Sequence, residues 1–538
     1  MGKGPRLLMI GIDGADHGMV QEWLAARLLP NLQRLLSAGH LFAHHSTHPP
    51  LTAPAWTTIF TGCDPGKHGL YDFMDYSYPE RRPWWEVARS CPSLWSLLTE
   101  AGLRVAAVNM PMAYPAEAVE GAFICGFGAP SLSDKVFHPA GLGEALRGAV
   151  PGYDLHPTLE PGNWPSVTEL NRYTDMRARA LWHILGSQCP DVVCVVLNAL
   201  DWAGHAYAVQ GSGPDGPMAR VAAHIDTRLG DLLAVVDWPR TPVMVVSDHG
   251  MRCARRTINL PNLFTRLGLM RLSGQPAGRA SGGSLSRRAL LRAWYLLKRA
   301  LPAGALSRLR RGAEGRRQEL LAATETRIDW EHTVAAPLVG LYGCIRLNVR
   351  GRDPQGIVKP DEYQTVARET ADLLRSVTDG TGQPVFSDVL VRDEIYHGDR
   401  VEEAPDLVLW PRARDMTFGA APTEQELALY TAQAGIISPL HPPTGVHGRT
   451  GILLVSGDDF GRLDCGDTCD LADVTPTALG VLGLPVPSHM DGRPLLPADT
   501  PSAETGGGRG PGECPAEDVY SQEEAAQLTE RLKALGYM

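Results

Sequence analysis

The chain has 538 residues, a formal net charge of -10, 44% hydrophobic and 20% charged residues. That is the balance of a globular protein too long for one small core, so roughly two to four domains, or one large domain with insertions, are expected. The mildly acidic charge gives no general argument for nucleic-acid binding, and no apolar run of about 18 residues suggests a transmembrane helix.

The start, MGKGPRLLMIGIDGADHG, meets Asp13 and Asp16 without the small-residue cleavage site of a secretory signal. Its apolar part, Arg6–Ile12, is nearly continuous, as in a parallel strand buried on both faces, and it ends at Asp13. Met19–Ala38 follows with helical periodicity through Leu24, Leu28, Leu32, Leu35 and Leu36. Pro30 splits it and Gly39 closes it. His40–Pro50 reads as a loop rich in His and Pro. Next comes Leu51-Thr52-Ala53-Pro54, a turn entering a helix, with Pro54 in the first turn and Thr52 near the N-cap.

Trp95–Ala101 is a short predicted helix, Arg104–Val108 a strand, Asn171–Gly186 an amphipathic helix and Asp191–Leu197 a strand. Val221–Val236 is a helix and Pro242–Val246 the strand after it. This alternation predicts an α/β fold, a doubly wound and mostly parallel sheet flanked by helices.

Beyond Met270 the composition changes. Gly274–Arg317 is rich in Gly, Ala, Ser, Leu and Arg, within a basic helical insertion over 271–328. It reads as a solvated insertion packed by its apolar stripe, with weak contact to an anionic surface through 287–317 as the alternative. Residues 329–440 read as an inserted α+β cap, with strands at Tyr342–Val349 and Asp406–Trp410 and a helix at Glu362–Thr378. The core then resumes over 441–497, with the strand Gly451–Ser456 and the helix Asp473–Leu482. A linker (498–516) and a terminal helix (517–538) close the chain, with Ser521 and Glu524 spaced as a capping box. The ten Cys are scattered, several in predicted strands (Cys125, Cys194, Cys344), which suits reduced thiols and a cytoplasmic location.

Ionisable residues collect at the ends of predicted core strands. Asp13 ends the first. Asp201 and His205 follow DVVCVVL. Asp248 and His249 end PVMVV, and His447 precedes GILLVS. In an open α/β sheet such ends converge on one edge. Asp201 and His205 also have the spacing of a simple helical pair. Mixed carboxylate and imidazole donors suit zinc, and also manganese or iron. Two such ions about 3.5–4 Å apart can clamp the attacking and leaving oxygens of a phosphoryl displacement. Thr52, at a helix start that favours an anion, is the candidate nucleophile; Thr57 and Thr58 fall inside the helix, where they can bond to the preceding turn.

The ordered set Asp13, Thr52, Asp201-x-x-x-His205, Ser247-Asp248-His249-Gly250 and Gly445-x-His447-Gly448 resembles the alkaline phosphatase superfamily, in its type I phosphodiesterase/nucleotide pyrophosphatase branch. The resemblance implies two divalent ions, usually zinc. Asp13, Thr52, Asp248 and His249 would hold one, with Thr52 transiently phosphorylated. Asp201, His205 and His447 would hold the other. The implied substrate is a small-molecule phosphate ester or nucleotide.

Two departures stand out. Where the family pattern places an Asn on the phosphoryl oxygen, this chain has Phe73, so Asn109 or a cap residue is the substitute to consider. The sulfatase branch needs Cys or Ser followed by x-Pro-x-Arg; Thr52-Ala53-Pro54-Ala55-Trp56 does not fit it. A phosphomonoesterase or phosphonate hydrolase on the same fold, and a catalytically silent metal-binding protein, are the alternative functions.

Overall fold

The structure is a computed structural model that describes residues 4–75, 82–84, 90–157, 164–272, 328–338, 342–419, 436–461, 463, 466–497 and 520–535. Gly274–Arg317 and the linker 498–516 lie outside the described residues.

Along the chain come β1 (Leu7–Ile12), α1 (His17–Ala25), α2 (Pro30–Leu36), β2 (Gly39–His45) and α3 (Thr52–Thr61). After them come α4 (Pro65–His68), α5 (Leu94–Glu100), β3 (Val105–Met110), β4 (Gly121–Cys125), β5 (Phe137–His138), α6 (Leu142–Ala149) and α7 (Val167–Ser187). The next stretch is β6 (Val192–Leu197), α8 (Ala199–Tyr207), α9 (Pro217–Leu233), β7 (Val243–Val246), β8 (Gly250–Ile258) and α10 (Leu260–Arg266). The later strands are β9 (Ala335–Pro337), β10 (Cys344–Leu347), β11 (Phe386–Val391), β12 (Leu407–Pro411), β13 (Met416–Phe418), β14 (Ile437–Gly448), β15 (Thr450–Ser456) and β16 (Thr468–Asp470).

The main sheet has nine strands in the order β16-β2-β15-β7-β1-β6-β3-β4-β5. Its centre, β7-β1-β6-β3-β4, is parallel. β1, β6 and β7 are buried along their whole length, which accounts for their unbroken apolar runs. Each fully buried Val, Leu or Ile side chain contributes roughly 1.5–3 kcal/mol. Helices cover the sheet, with α7 and α9 packed on each other and α8 against both.

Register does the positioning. Ile12 of β1 lies beside Leu197 of β6, and Gly11 beside Val246 of β7. The residues that follow these strands therefore emerge side by side at one edge. β15 runs the other way against β7, so it begins at that same edge. β2 is antiparallel to β15, with His45 opposite Thr450, and so also ends there.

Two local expectations are corrected. The first half of the expected loop His40–Pro50 is strand β2. Its two-residue alternation, with Phe42 and His44 buried, is disguised because one inward position is a histidine. That imidazole is satisfied by the Ser247 carbonyl, 2.6 Å from Nε2. Gly39 does not cap α2 but starts β2, where a Cβ would run into the Val455 carbonyl. Thr52 is the first residue of α3, and Leu51 is the cap residue. The expected Ser521–Glu524 capping box is present, as reciprocal backbone-to-side-chain bonds of 2.7 and 3.3 Å.

A second hydrophobic cluster is built from Ile258, α10 and residues between Trp330 and Phe418. It contains the antiparallel sheet β11-β12-β10-β9. A three-stranded sheet, β13-β8-β14, links this part to the site edge.

Candidate active site

Each candidate side chain reaches the site edge by a different element. Asp13 follows β1, and Asp248 and His249 follow β7. Asp201 and His205 are four apart on α8, so they share one helix face. His447 lies opposite Met251 where β14 pairs with β8. Thr52 opens α3, and its hydroxyl is turned toward His249 of the site.

These seven residues form one buried cluster with two halves. In one half, His249 Nε2 lies 3.2 Å from Asp248 Oδ2, 3.7 Å from Asp13 Oδ1 and 3.4 Å from Thr52 Oγ1. In the other, His205 Nε2 and His447 Nε2 are 3.1 Å apart, and each is 3.4 Å from Asp201 Oδ1. The His249 and His447 rings stack at 3.6 Å and join the halves.

The hydrogen bonds around the cluster decide its chemistry. His205 Nδ1 faces the Gly445 carbonyl, His249 Nδ1 the Gly250 carbonyl and His447 Nδ1 the Pro50 carbonyl. A carbonyl only accepts, so each Nδ1 carries the proton and each Nε2 presents a lone pair inward. Asp13 Oδ1, Asp201 Oδ1 and Asp248 Oδ2 are buried and accept no hydrogen bond among the described residues. The cluster thus points lone pairs at lone pairs, an arrangement that needs cations or protons between them. Asp13, Asp248 and His249 form one group able to hold a metal ion; Asp201, His249 and His447 form another. The donor types and their protonation fit divalent cations such as zinc.

Electrostatics differs between the two halves: against the cost of burial, Asp201 holds the His205 imidazole above its ordinary value, and His205 and His447 hold the Asp201 carboxyl well below its own. Burial pushes the Asp13 carboxyl well above the usual carboxylate range, with the Asp248 and Asp201 charges adding to it. Burial, with Asp201 beside it, pushes Asp248 up to about 8. Burial also lowers His249 and His447, which keeps both imidazoles neutral and able to ligate.

The sequence model of the family described as type I phosphodiesterase / nucleotide pyrophosphatase matches residues 7–431. The chain belongs to this family. No curated protein matches it. As a member of the type I phosphodiesterase / nucleotide pyrophosphatase family, the chain is a metal-dependent phosphoric ester hydrolase. His447 lies beyond the matched residues, yet it sits at the centre of the cluster.

The other candidate residues of this hydrolase lie further out. Asn109, buried at the end of β3, donates through Nδ2 to the Val196 carbonyl and to Asn198 Oδ1. Phe73 is fully buried and packs edge-on against Phe127, so it offers an apolar ring and no side-chain donor. Thr57 Oγ1 bonds back to the Ala53 carbonyl within α3. His44 supports the Ser247 carbonyl from below the site.

Sequence reasoning missed several supports. Asn198 donates to Asp13 Oδ2 at 2.7 Å. Its signal was faint: a polar residue between β6 and α8, easily taken for a turn residue. Ser46 Oγ holds the Asp248 carbonyl at 2.6 Å. Arg252 Nε holds the His447 carbonyl at 3.1 Å, and its Nη1 bonds to the Met416 carbonyl, which ties β14 to β13.

Proposed function

We propose that this chain hydrolyses small-molecule phosphate esters, of phosphodiester or nucleotide pyrophosphate type, through a phosphothreonine intermediate on Thr52 at a site for two divalent ions. The observation that carries this reading is the inward-facing set of carboxylate and imidazole groups around the Thr52 hydroxyl. Asp13, Thr52, Asp248 and His249 would hold one ion, and Asp201, His205 and His447 the other; zinc suits these donors best. When bound, the ions supply Lewis acidity, which lowers the pKa of hydroxyl groups and offsets charge building on phosphoryl oxygens.

The chain's own residues do the rest. Thr52 gives up its proton to water as Oγ1 forms a bond to phosphorus. The bond from phosphorus to the ester oxygen breaks on the opposite side, and the leaving oxygen takes up a proton from water. A water then attacks phosphorus, the Thr52 Oγ1–phosphorus bond breaks, and the hydroxyl is restored. Asn198 keeps Asp13 oriented, and the Nδ1 bonds of the three histidines keep their rings fixed through both steps. We place the enzyme in the cytoplasm on the scatter of its cysteines.

The test is metal analysis of the purified protein with aryl phosphate monoesters and diesters as substrates, for wild type and Thr52→Ala. The reading expects zinc-dependent hydrolysis of diesters that Thr52→Ala abolishes while retaining most of the metal. Turnover of monoesters alone would defeat the diesterase part. No turnover of any ester by metal-loaded protein would defeat the whole.

A further inference from the structure

Tyr342 lies in the segment just before β10, beside the His447 ring of the site. Its ring lies 5.7 Å from the His447 ring, tilted by 38°. The ring is only partly buried and packs on the main core, but the hydroxyl oxygen is fully enclosed. The His447 backbone N–H faces that oxygen as a donor, and no acceptor for the hydroxyl's own proton is present among the described residues.

A tyrosine phenol is a neutral O–H at ordinary pH, with a proton to give. The nearest cationic group, Arg252, is committed to the carbonyls of His447, Arg414 and Met416. Asp201 Oδ1 faces the Nε2 atoms of His205 and His447. Leaving a buried hydroxyl unmatched costs about 1–3 kcal/mol, so an unmatched donor beside a site of this kind calls for a ligand.

We propose that Tyr342 is a substrate-contacting residue, whose hydroxyl donates a hydrogen bond to a phosphoryl oxygen of the bound ester on the Asp201–His205–His447 side. This rests on the hydrolase reading above. A hydrogen bond to an anionic oxygen that gains charge as the reaction proceeds strengthens toward the transition state, so the effect falls on kcat as well as on binding.

Tyr342→Phe removes the hydroxyl and keeps the ring. Zinc-loaded wild type, Tyr342→Phe and Thr52→Ala are assayed together on an aryl phosphodiester, with orthovanadate as inhibitor and with bound metal and Tm measured in parallel. The expected result for Tyr342→Phe is a fall in kcat/KM of roughly 10- to 100-fold, much of it in kcat, with weaker vanadate inhibition. Metal content and Tm stay at wild-type values. If Tyr342→Phe matches wild type in both kinetics and vanadate inhibition, the role of Tyr342 is overturned and the hydrolase reading stands. A loss of activity that follows a loss of metal or of Tm also overturns it, in favour of a structural role. If wild type shows no hydrolysis above Thr52→Ala, the hydrolase reading fails and the role of Tyr342 fails with it.

Discussion

Asn198 Nδ2 donates to Asp13 Oδ2 at 2.7 Å, and Asn109 Nδ2 occupies Asn198 Oδ1 at 2.5 Å. With its oxygen taken, the Asn198 amide has one orientation, and its NH2 must face Asp13. One oxygen of Asp13 is thereby fixed while the other faces His249. Supports of this kind contribute roughly 10- to 100-fold to metal affinity, so Asn198→Ala should bind zinc that much more weakly. Titration against a competing chelator reads this directly. Unchanged affinity would remove Asn198 from the account.

Bound metal should also hold the fold together. Without cations, the carboxylates of Asp13, Asp201 and Asp248 crowd in a buried space. An ion present at a thousand times its Kd stabilises by about 4 kcal/mol, so EDTA should lower Tm by several degrees. Asp248→Asn removes a carboxyl that the bound ion must keep ionised against burial, and should narrow the gap between loaded and stripped protein. Calorimetry with and without chelator checks both statements; an EDTA-insensitive Tm would contradict them.

Gly445 keeps the two imidazoles of one half together. A Cβ there would meet the Gly204 carbonyl and approach the His205 Cα to 2.9 Å. Gly445→Ala must push β14 away from α8 and separate His447 from His205. The expected cost is about 1–3 kcal/mol of stability, with loss of zinc affinity. Gly466→Ala, at an exposed position with open space around it, is the neutral control. Urea unfolding and metal titration of both variants decide the matter.

His44 gives a pH dependence. Burial lowers its pKa from 6.5 to about 4. The unfolded chain takes up a proton near the ordinary value and the folded protein does not. Stability from this residue is therefore present above pH 6.5 and lost as pH falls toward 4, by at most about 3 kcal/mol. His48 and His156 are lowered by burial too and add to the same trend. His44→Gln retains an N–H for the Ser247 carbonyl but does not titrate. Its stability should fall less steeply than wild type over this window, as measured by urea unfolding at several pH values. Parallel slopes would contradict the assignment.

The central sheet was legible because β1, β6 and β7 are buried on both faces, which leaves unbroken apolar runs that end abruptly at Asp13, Asn198 and Ser247. The family was legible in the ordered set of Asp, His and Thr residues. β2 was hidden because an inward-facing histidine breaks its apolar alternation. The antiparallel direction of β15 was hidden because a strand's own sequence says nothing of its neighbour's direction. Asn198 and Tyr342 were hidden because their positions depend on contacts far away in the chain, with Asp13 and with His447.

The central claim is that Thr52 carries the phosphoryl group during turnover. The most direct measurement is rapid acid quench of zinc-loaded enzyme with an aryl phosphodiester, followed by mass spectrometry of the peptide containing Thr52. The account predicts an adduct on Thr52, holding the phosphoryl group and its remaining ester, that forms within the first turnover and is absent from Thr52→Ala. Turnover without any adduct, or undiminished turnover by Thr52→Ala, would contradict it.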